Sequence, residues 1–237
     1  MMLQTKGRPF SGTVVGKGAT MARQPKLTGI EQIASGWVNK YVLTYEMPNG
    51  SSRVYECASR KPLEDFRAGL EERGRISSAI CAGDDGETAG SVDGLLPQAA
   101  PDAVCIVART PRDTLVMIRE FRYPLNSWCI AFPAGLVDSG EDVVRCACRE
   151  LSEETGYEVT DSASVRVLPQ AGFSSTGLTD ETVQIVFVEA ERAGEAHTEP
   201  SELIEVFELP VAEVRAFLES NRLPIGTRAQ LVLETFV

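Results

Sequence analysis

The sequence predicts a mixed α/β sandwich, and three features carry that expectation. Apolar stretches of strand length recur from Ala103 to Pro210, broken by turn residues. One strongly patterned helix sits in their midst, and a second helical pattern follows the last strand. Strands before and after a central helix cannot bury that helix without placing it against a sheet.

The elements follow in chain order. The first thirty or so residues mix Gly, Lys and Pro without periodicity and are expected to form an arm. GWVNKYVLTYEMPNGSSRVYECASR reads as two strands joined at Pro48-Asn49-Gly50, since Asn-Gly between apolar runs favours a tight hairpin turn. PLEDFRAGLEERG fits a short helix, and CAGDDGETAGSVDGLLPQAAP, rich in Gly and acid, fits a long loop. AVCIVART and TLVMIREFR are expected as strands around Pro111-Arg112-Asp113, with WCIAFPAG a third, ending where Pro133 and Gly135 interrupt it. The central helix should run from about Glu141 to Thr155, with Ser139 and Asp142 as a weak capping box and Gly156 just past its end. SVRVLPQAGF, ETVQIVFVEAE and LIEVFELP supply further strands, and VAEVRAFLESN a helix. This divides the chain into an N-terminal arm and β-hairpin extension (1–60), a helix and acidic-loop insertion (61–101), and the main domain (102–237).

Composition narrows the function classes. The chain has 237 residues, 43% of them hydrophobic, enough for a sizeable core. A net charge of −11 opposes binding to nucleic acid or to an anionic membrane surface. No apolar run approaches the roughly 18 residues that a membrane span needs. The opening MMLQTKGRPFSG has no apolar signal core, so a cytoplasmic location is expected. The six cysteines form no CxxC pair and His197 is the lone histidine, which argues against zinc and against Cys–His or Ser–His catalysis.

The chemistry concentrates in RELSEETGY, Arg149 to Tyr157. At about 100° per residue, Val144, Ala147, Cys148 and Leu151 share an arc facing the core, and Glu150, Glu153 and Glu154 share a neighbouring one. Carboxylates spaced i, i+3 and i+4 repel by roughly a few tenths of a kcal/mol per pair, which selection for stability alone disfavours. A hard divalent cation reverses the sign of that argument, because Mg²⁺ prefers oxygen ligands and bridges carboxylates to phosphates.

Gly135, Glu141, Arg149, Glu150, Leu151, Glu153, Glu154, Gly156 and Tyr157 fill every defining position of G-x5-E-x7-R-E-U-x-E-E-x-G-U, U being a bulky apolar residue. The sequence therefore resembles the Nudix hydrolases. The resemblance implies an α/β/α sandwich and hydrolysis, with Mg²⁺ or Mn²⁺, of a nucleoside diphosphate linked to a further group. It makes Glu150 and Glu154 the main metal ligands, joined by Glu153 and the carbonyl of Ala134. Arg149 would orient a glutamate, and Glu141 would serve Arg149 or a water-mediated metal contact.

Outside the box, REFRYPL…CIAFPAGLVDSGE and GFSSTGLTDETV resemble the ADP-ribose pyrophosphatases. Arg119-Glu120-Phe121-Arg122 stands where those enzymes often have Q-x-R, so Arg122 takes the arginine position. The usual glutamate of E-x-P-A-G is missing from CIAFPAG. The same resemblance suggests Trp37 and Tyr55 as an adenine sandwich on adjacent strands, with Glu56 and Arg60 as polar contacts, in a homodimer with exchanged N-terminal segments. It places the general base in HTEPSELIEV, at Glu202 in preference to Glu199. A UDP- or GDP-sugar pyrophosphatase and a nucleotide-sensing module without catalysis are the alternatives. ADP-ribose, cleaved to AMP and ribose 5-phosphate, is the favoured substrate.

Overall fold

A computed structural model of the chain describes residues 24–82 and 100–237. The expected arm before residue 24 and most of the acidic loop therefore lie outside the described residues. Contacts divide the chain into two compact units, the smaller holding the first three strands up to Cys57 and the first helix, the larger holding Ala58–Arg60 and everything from the fourth strand onward.

In the smaller unit β1 (Lys26–Ala34), β2 (Asn39–Glu46) and β3 (Ser52–Ser59) form a sheet in that order. β1 starts within the stretch expected to be an arm; Ile30 packs among the residues beneath the helix. α1 (Leu63–Ala82) is 20 residues long, well beyond the short helix expected. It packs on the sheet through Phe66, whose ring stacks on Tyr41 at 4.4 Å. Tyr41 Oη and Asn39 Nδ2 both donate to the carbonyl of Lys61, at 2.8 and 3.0 Å, fixing where the helix begins. A bare hairpin is marginal in water, and here α1 covers one face of it. The need for a covering surface is thus met within the chain.

The larger unit is the expected sandwich. Its central strands are β4 (Ala103–Arg109), β5 (Thr114–Arg122), β11 (Thr182–Arg192) and β12 (Ile204–Pro210), in the order β11-β4-β5-β12. β4 alternates between two cores: Val104, Ile106 and Ala108 face one cluster, Cys105 and Val107 the other. The first cluster is closed by α2 (Val143–Thr155) through Cys146, Ala147 and Leu151. The second is closed by α3 (Val214–Ser220) and α4 (Thr227–Glu234) through Val214, Ala229, Val232 and Leu233. α4, unforeseen in the sequence, completes that layer.

β4 and β5 pair only at their hairpin end, Arg109 with Leu115, and then diverge. β6 (Ser127–Ala131) pairs with β5, and β7 (Ala134–Leu136) pairs with β4, so the run expected as one strand crosses the gap at Phe132-Pro133. Pro133 cannot donate a ladder bond, but its carbonyl accepts from Ile106 N at 2.8 Å. The strand therefore changes partners at the proline and resumes. β8 (Tyr157–Val159), β9 (Arg166–Val167) and β10 (Gly172–Phe173) are short edge pieces on β11, where a longer strand was expected at SVRVLPQAGF. Among the described residues no helix is long and apolar enough to cross a membrane.

Candidate active site

The site gathers at the C-terminal half of α2. The helix begins later than its charge pattern implies: Asp142, not Ser139, is the N-cap, accepting from Val144 N at 2.9 Å and Arg145 N at 3.2 Å. Glu141 therefore precedes the helix instead of opening it. It turns back to take a bidentate bond from Arg149, Nε to Oε1 at 3.0 Å and Nη2 to Oε2 at 2.8 Å. Those bonds hold its carboxyl down at about 2, with Arg149 the dominant cause. Arg149 also donates to Glu150 at 2.7 Å, to Glu153 at 3.2 Å and to the Leu136 carbonyl at 3.3 Å. The guanidinium is thus committed on every side.

The buried arc of α2 differs from the one read off the wheel. Cys146, rather than Val144 or Cys148, joins Ala147 and Leu151 in the core, and Glu154 is buried with them at 5% exposure. A buried carboxylate needs a partner. Glu154 Oε2 accepts the backbone N–H of Ala134 at 3.1 Å, and this bond lowers its pKa. Burial outweighs it, and with the charges of Glu150, Glu120 and Glu202 it drives the group up to about 8. Glu150 is also raised, chiefly by burial, against the opposing pull of Arg149. Gly135 makes this packing feasible: a Cβ there would fall inside the Glu150 carboxyl group.

Two carboxylates arrive from the other side. Glu120 lies on β5 opposite Cys129 of β6 and Ile204 of β12. Its pKa is raised by burial, then lowered by Arg122 and raised again by Glu202. Glu202 sits in the loop before β12; Phe121 N donates to the Leu203 carbonyl at 3.0 Å and Tyr123 Oη to that of Ser201 at 3.1 Å. The loop is also tied to the helix end, where His197 N donates to the Glu153 carbonyl at 2.7 Å. Its own ends are closed by Glu199 N donating to the Glu202 carboxylate at 3.1 Å.

The residues singled out in the sequence separate accordingly. Ala134, Arg149, Glu150, Glu153, Glu154, Glu202 and Arg122 come together in the larger unit. Arg60, in the same unit, is paired with Glu181, which also accepts from the Ser174 hydroxyl at 2.6 Å. Trp37, Tyr55 and Glu56 belong to the smaller unit. Trp37 lies in the bend between β1 and β2, 76% exposed, and not on a strand as expected. Tyr55 lies on β3 at 40% exposure, and Glu56 pairs with Lys40 at 2.9 Å. Glu120 was missed as a site residue. Its signal was a carboxylate on the strand face that carries Val116 and Ile118, where the alternation calls for an apolar side chain.

The family model described as the NUDIX domain matches residues 99–228, more than half of the chain. This protein belongs to the Nudix family. Over 219 residues it is 31% identical to an ADP-sugar pyrophosphatase of Mus musculus, covering 89% of this chain and 83% of that one. It is 32% identical over 123 residues to an ADP-ribose pyrophosphatase of Bacillus subtilis, covering 51% of this chain and 64% of that protein. The chain thus spans under two thirds of that relative's length, and 48% of another, from Caenorhabditis elegans. A crystal structure of an ADP compounds hydrolase shares the fold, with a TM-score of 0.63 and 22% identity, covering 91% of this chain and 94% of that one.

Nudix hydrolases generally depend on a divalent metal, and the donor set here fits one. It is all hard oxygen: Glu150, Glu153, Glu154 and the Ala134 carbonyl, with Glu120 and Glu202 adjacent. The burial of Glu150 and Glu154 and their repulsion from neighbouring carboxylates are what a cation relieves. Among the described residues no three acidic, histidine or cysteine side chains already converge as a cation cage. Arg149 bonds Glu150 and Glu153, and the Ala134 N–H bonds Glu154.

Proposed function

We propose that the protein is a Nudix pyrophosphohydrolase acting on ADP-ribose, giving AMP and ribose 5-phosphate. The observation that carries this reading is Glu154: a carboxylate buried beside Glu150, Glu120 and Glu202, with the Ala134 N–H as its hydrogen-bond donor, is costly unless it serves a cation. The named activities of the mouse and Bacillus subtilis relatives support an ADP-linked substrate.

Glu150, Glu154, Glu153 and the Ala134 carbonyl are the groups that would hold the metal, with Mg²⁺ favoured and Mn²⁺ the alternative. A divalent ion, when bound, supplies positive charge to the diphosphate and acidifies the attacking water. Arg149 keeps Glu150 and Glu153 oriented from its anchor on Glu141. Arg122 contributes a cation at the edge of the acidic group, suited to a phosphate oxygen. Water adds to one phosphorus, the bond to the bridging oxygen breaks, and Glu202 accepts the proton of the water. The charge of Glu202 acts on Glu120, Glu150 and Glu154, which supports Glu202 over Glu199 as the base.

Trp37 and Tyr55 remain the proposed adenine contacts, with Glu56 and Arg60 as polar ones. Both rings are exposed, as are Ile33, Val38 and Val54 in the same unit. Such apolar surface suits a ligand or a second copy of the chain, and we extend the proposal to a homodimer working in the cytoplasm. A panel of ADP-ribose, UDP-glucose and GDP-mannose, assayed with Mg²⁺ and with products identified, tests the reading. AMP from ADP-ribose at the highest kcat/KM supports it; preference for the UDP- or GDP-sugar overturns the substrate, and binding without products overturns the enzyme.

A further inference from the structure

Two cations approach the acidic group, and they are held differently. Arg149 is saturated by Glu141, Glu150, Glu153 and the Leu136 carbonyl, which leaves it no donor for a substrate. Among the described residues Arg122 makes one ion pair, to Glu120 at 2.7 Å, and its side chain is 47% exposed. Glu120 is 15% exposed and stands within electrostatic reach of Glu154 and Glu202.

Strand alternation explains the arrangement. Residues two apart on β5 share a face, so Glu120 and Arg122 both project on the face that carries Val116 and Ile118. The intervening Phe121 and the following Tyr123 bond the loop that carries Glu202, through the carbonyls of Leu203 and Ser201. Phe121 is braced by edge-on contacts with Tyr123 at 5.4 Å and Trp128 at 6.0 Å. The backbone beneath the pair is therefore fixed. The guanidinium of Arg122, on a long flexible stem at the end of the strand, is the part left to be positioned, and Glu120 is what it bonds to.

We propose that Glu120 is the positioning residue for Arg122, aiming that guanidinium at the diphosphate of the substrate. A glutamate suits the task because a charge-assisted bond orders an arginine while leaving its remaining N–H groups free. A carboxylate beside the metal ligands also repels the diphosphate, so it earns its place only through what it holds. The inference rests on reading the site as one for a diphosphate.

A double-mutant cycle tests it, with Glu120→Ala, Arg122→Ala, the double variant and Glu120→Gln, all checked for an unchanged Tm. Arg122→Ala should raise KM for ADP-ribose roughly tenfold or more with a smaller change in kcat, the loss of one charged hydrogen bond. Glu120→Ala should raise KM in the same direction, Glu120→Gln should recover most of it, and adding Glu120→Ala to Arg122→Ala should change KM by less than about twofold. The same pattern is expected in calorimetric binding of inorganic pyrophosphate with Mg²⁺, which needs no turnover. An undiminished Glu120→Ala effect in the Arg122→Ala background overturns the proposal. So does a loss of Mn²⁺ affinity in Glu120→Ala, which would make Glu120 a metal ligand. Pyrophosphate binding that follows the cycle in a protein inactive on ADP-ribose would contradict the proposed substrate and leave this inference standing.

Discussion

At Glu154 burial and function pull in opposite directions. Its pKa of about 8 means that much of its population is protonated at neutral pH in the absence of a cation. Glu154→Gln removes a ligand and keeps the buried group uncharged at every pH. The expected outcome is a kcat lower by about two orders of magnitude or more, with a Tm equal to or above that of the parent. At Gly135 the atoms nearest an added methyl group would be the flexible carboxyl end of Glu150. Gly135→Ala should therefore leave the Tm within a few degrees and still depress kcat, by displacing a carboxylate that the reaction uses. Glu202→Gln should lower kcat without changing Mn²⁺ affinity, whereas an effect confined to Glu199→Gln would move the base there. The box residues were legible because fixed spacing on a helix dictates which carboxylates are neighbours. Glu120 was not, because its neighbours Glu154 and Glu202 come from distant parts of the chain.

Among the elements, α2 shows what pattern can and cannot fix. Its existence and its end followed from the apolar spacing and Gly156, whose φ of 71° is the left-handed cap conformation. Its start did not, because Ser139 and Asp142 are both competent caps and only the fold of the preceding loop selects Asp142. Asp142→Ala should cost about 1 kcal/mol in denaturant unfolding. Gly156→Ala should cost more, since its Cβ would also press on the backbone of Gly194. β12 contributes a different lock. Glu208 accepts from Tyr157 Oη at 2.6 Å and from Thr114 and Arg112. Burial alone would raise this carboxyl, but these bonds overcome it and hold its pKa below the usual range. The stability it contributes is present above the unfolded value of about 4.3 and is lost as pH falls through the lower folded one. The gap in Tm between the parent and Glu208→Gln should be largest near neutral pH and close in acid.

For the whole molecule, the sandwich was legible from strand-length apolar runs before and after one central helix, with a second helix following the last strand. The divergence of β4 from β5 was not, since pairing across a gap depends on β6 and β7 filling it. Nor was α4, whose pattern is too short to distinguish from a tail. In the smaller unit the Asn49-Gly50 turn was foreseen, but the length of α1 and the bend at Trp37 were not: α1 packs on Tyr41 through Phe66, and the bend is held by Gly36 N–H donating to Asn39 Oδ1 at 3.3 Å. Trp37→Ala should raise KM for ADP-ribose more than it alters kcat, since stacking binds ground and transition states alike. Light scattering that reports a monomer at assay concentration would remove the dimer from the proposal. The most direct test of the whole account is ADP-ribose turnover by the parent protein and Glu154→Gln, each stripped with EDTA and then resupplied with Mg²⁺. Equal amounts of AMP and ribose 5-phosphate, formed only by the parent and only with the metal restored, are the expected result. Turnover that survives EDTA, or a Glu154→Gln rate near that of the parent, would contradict it.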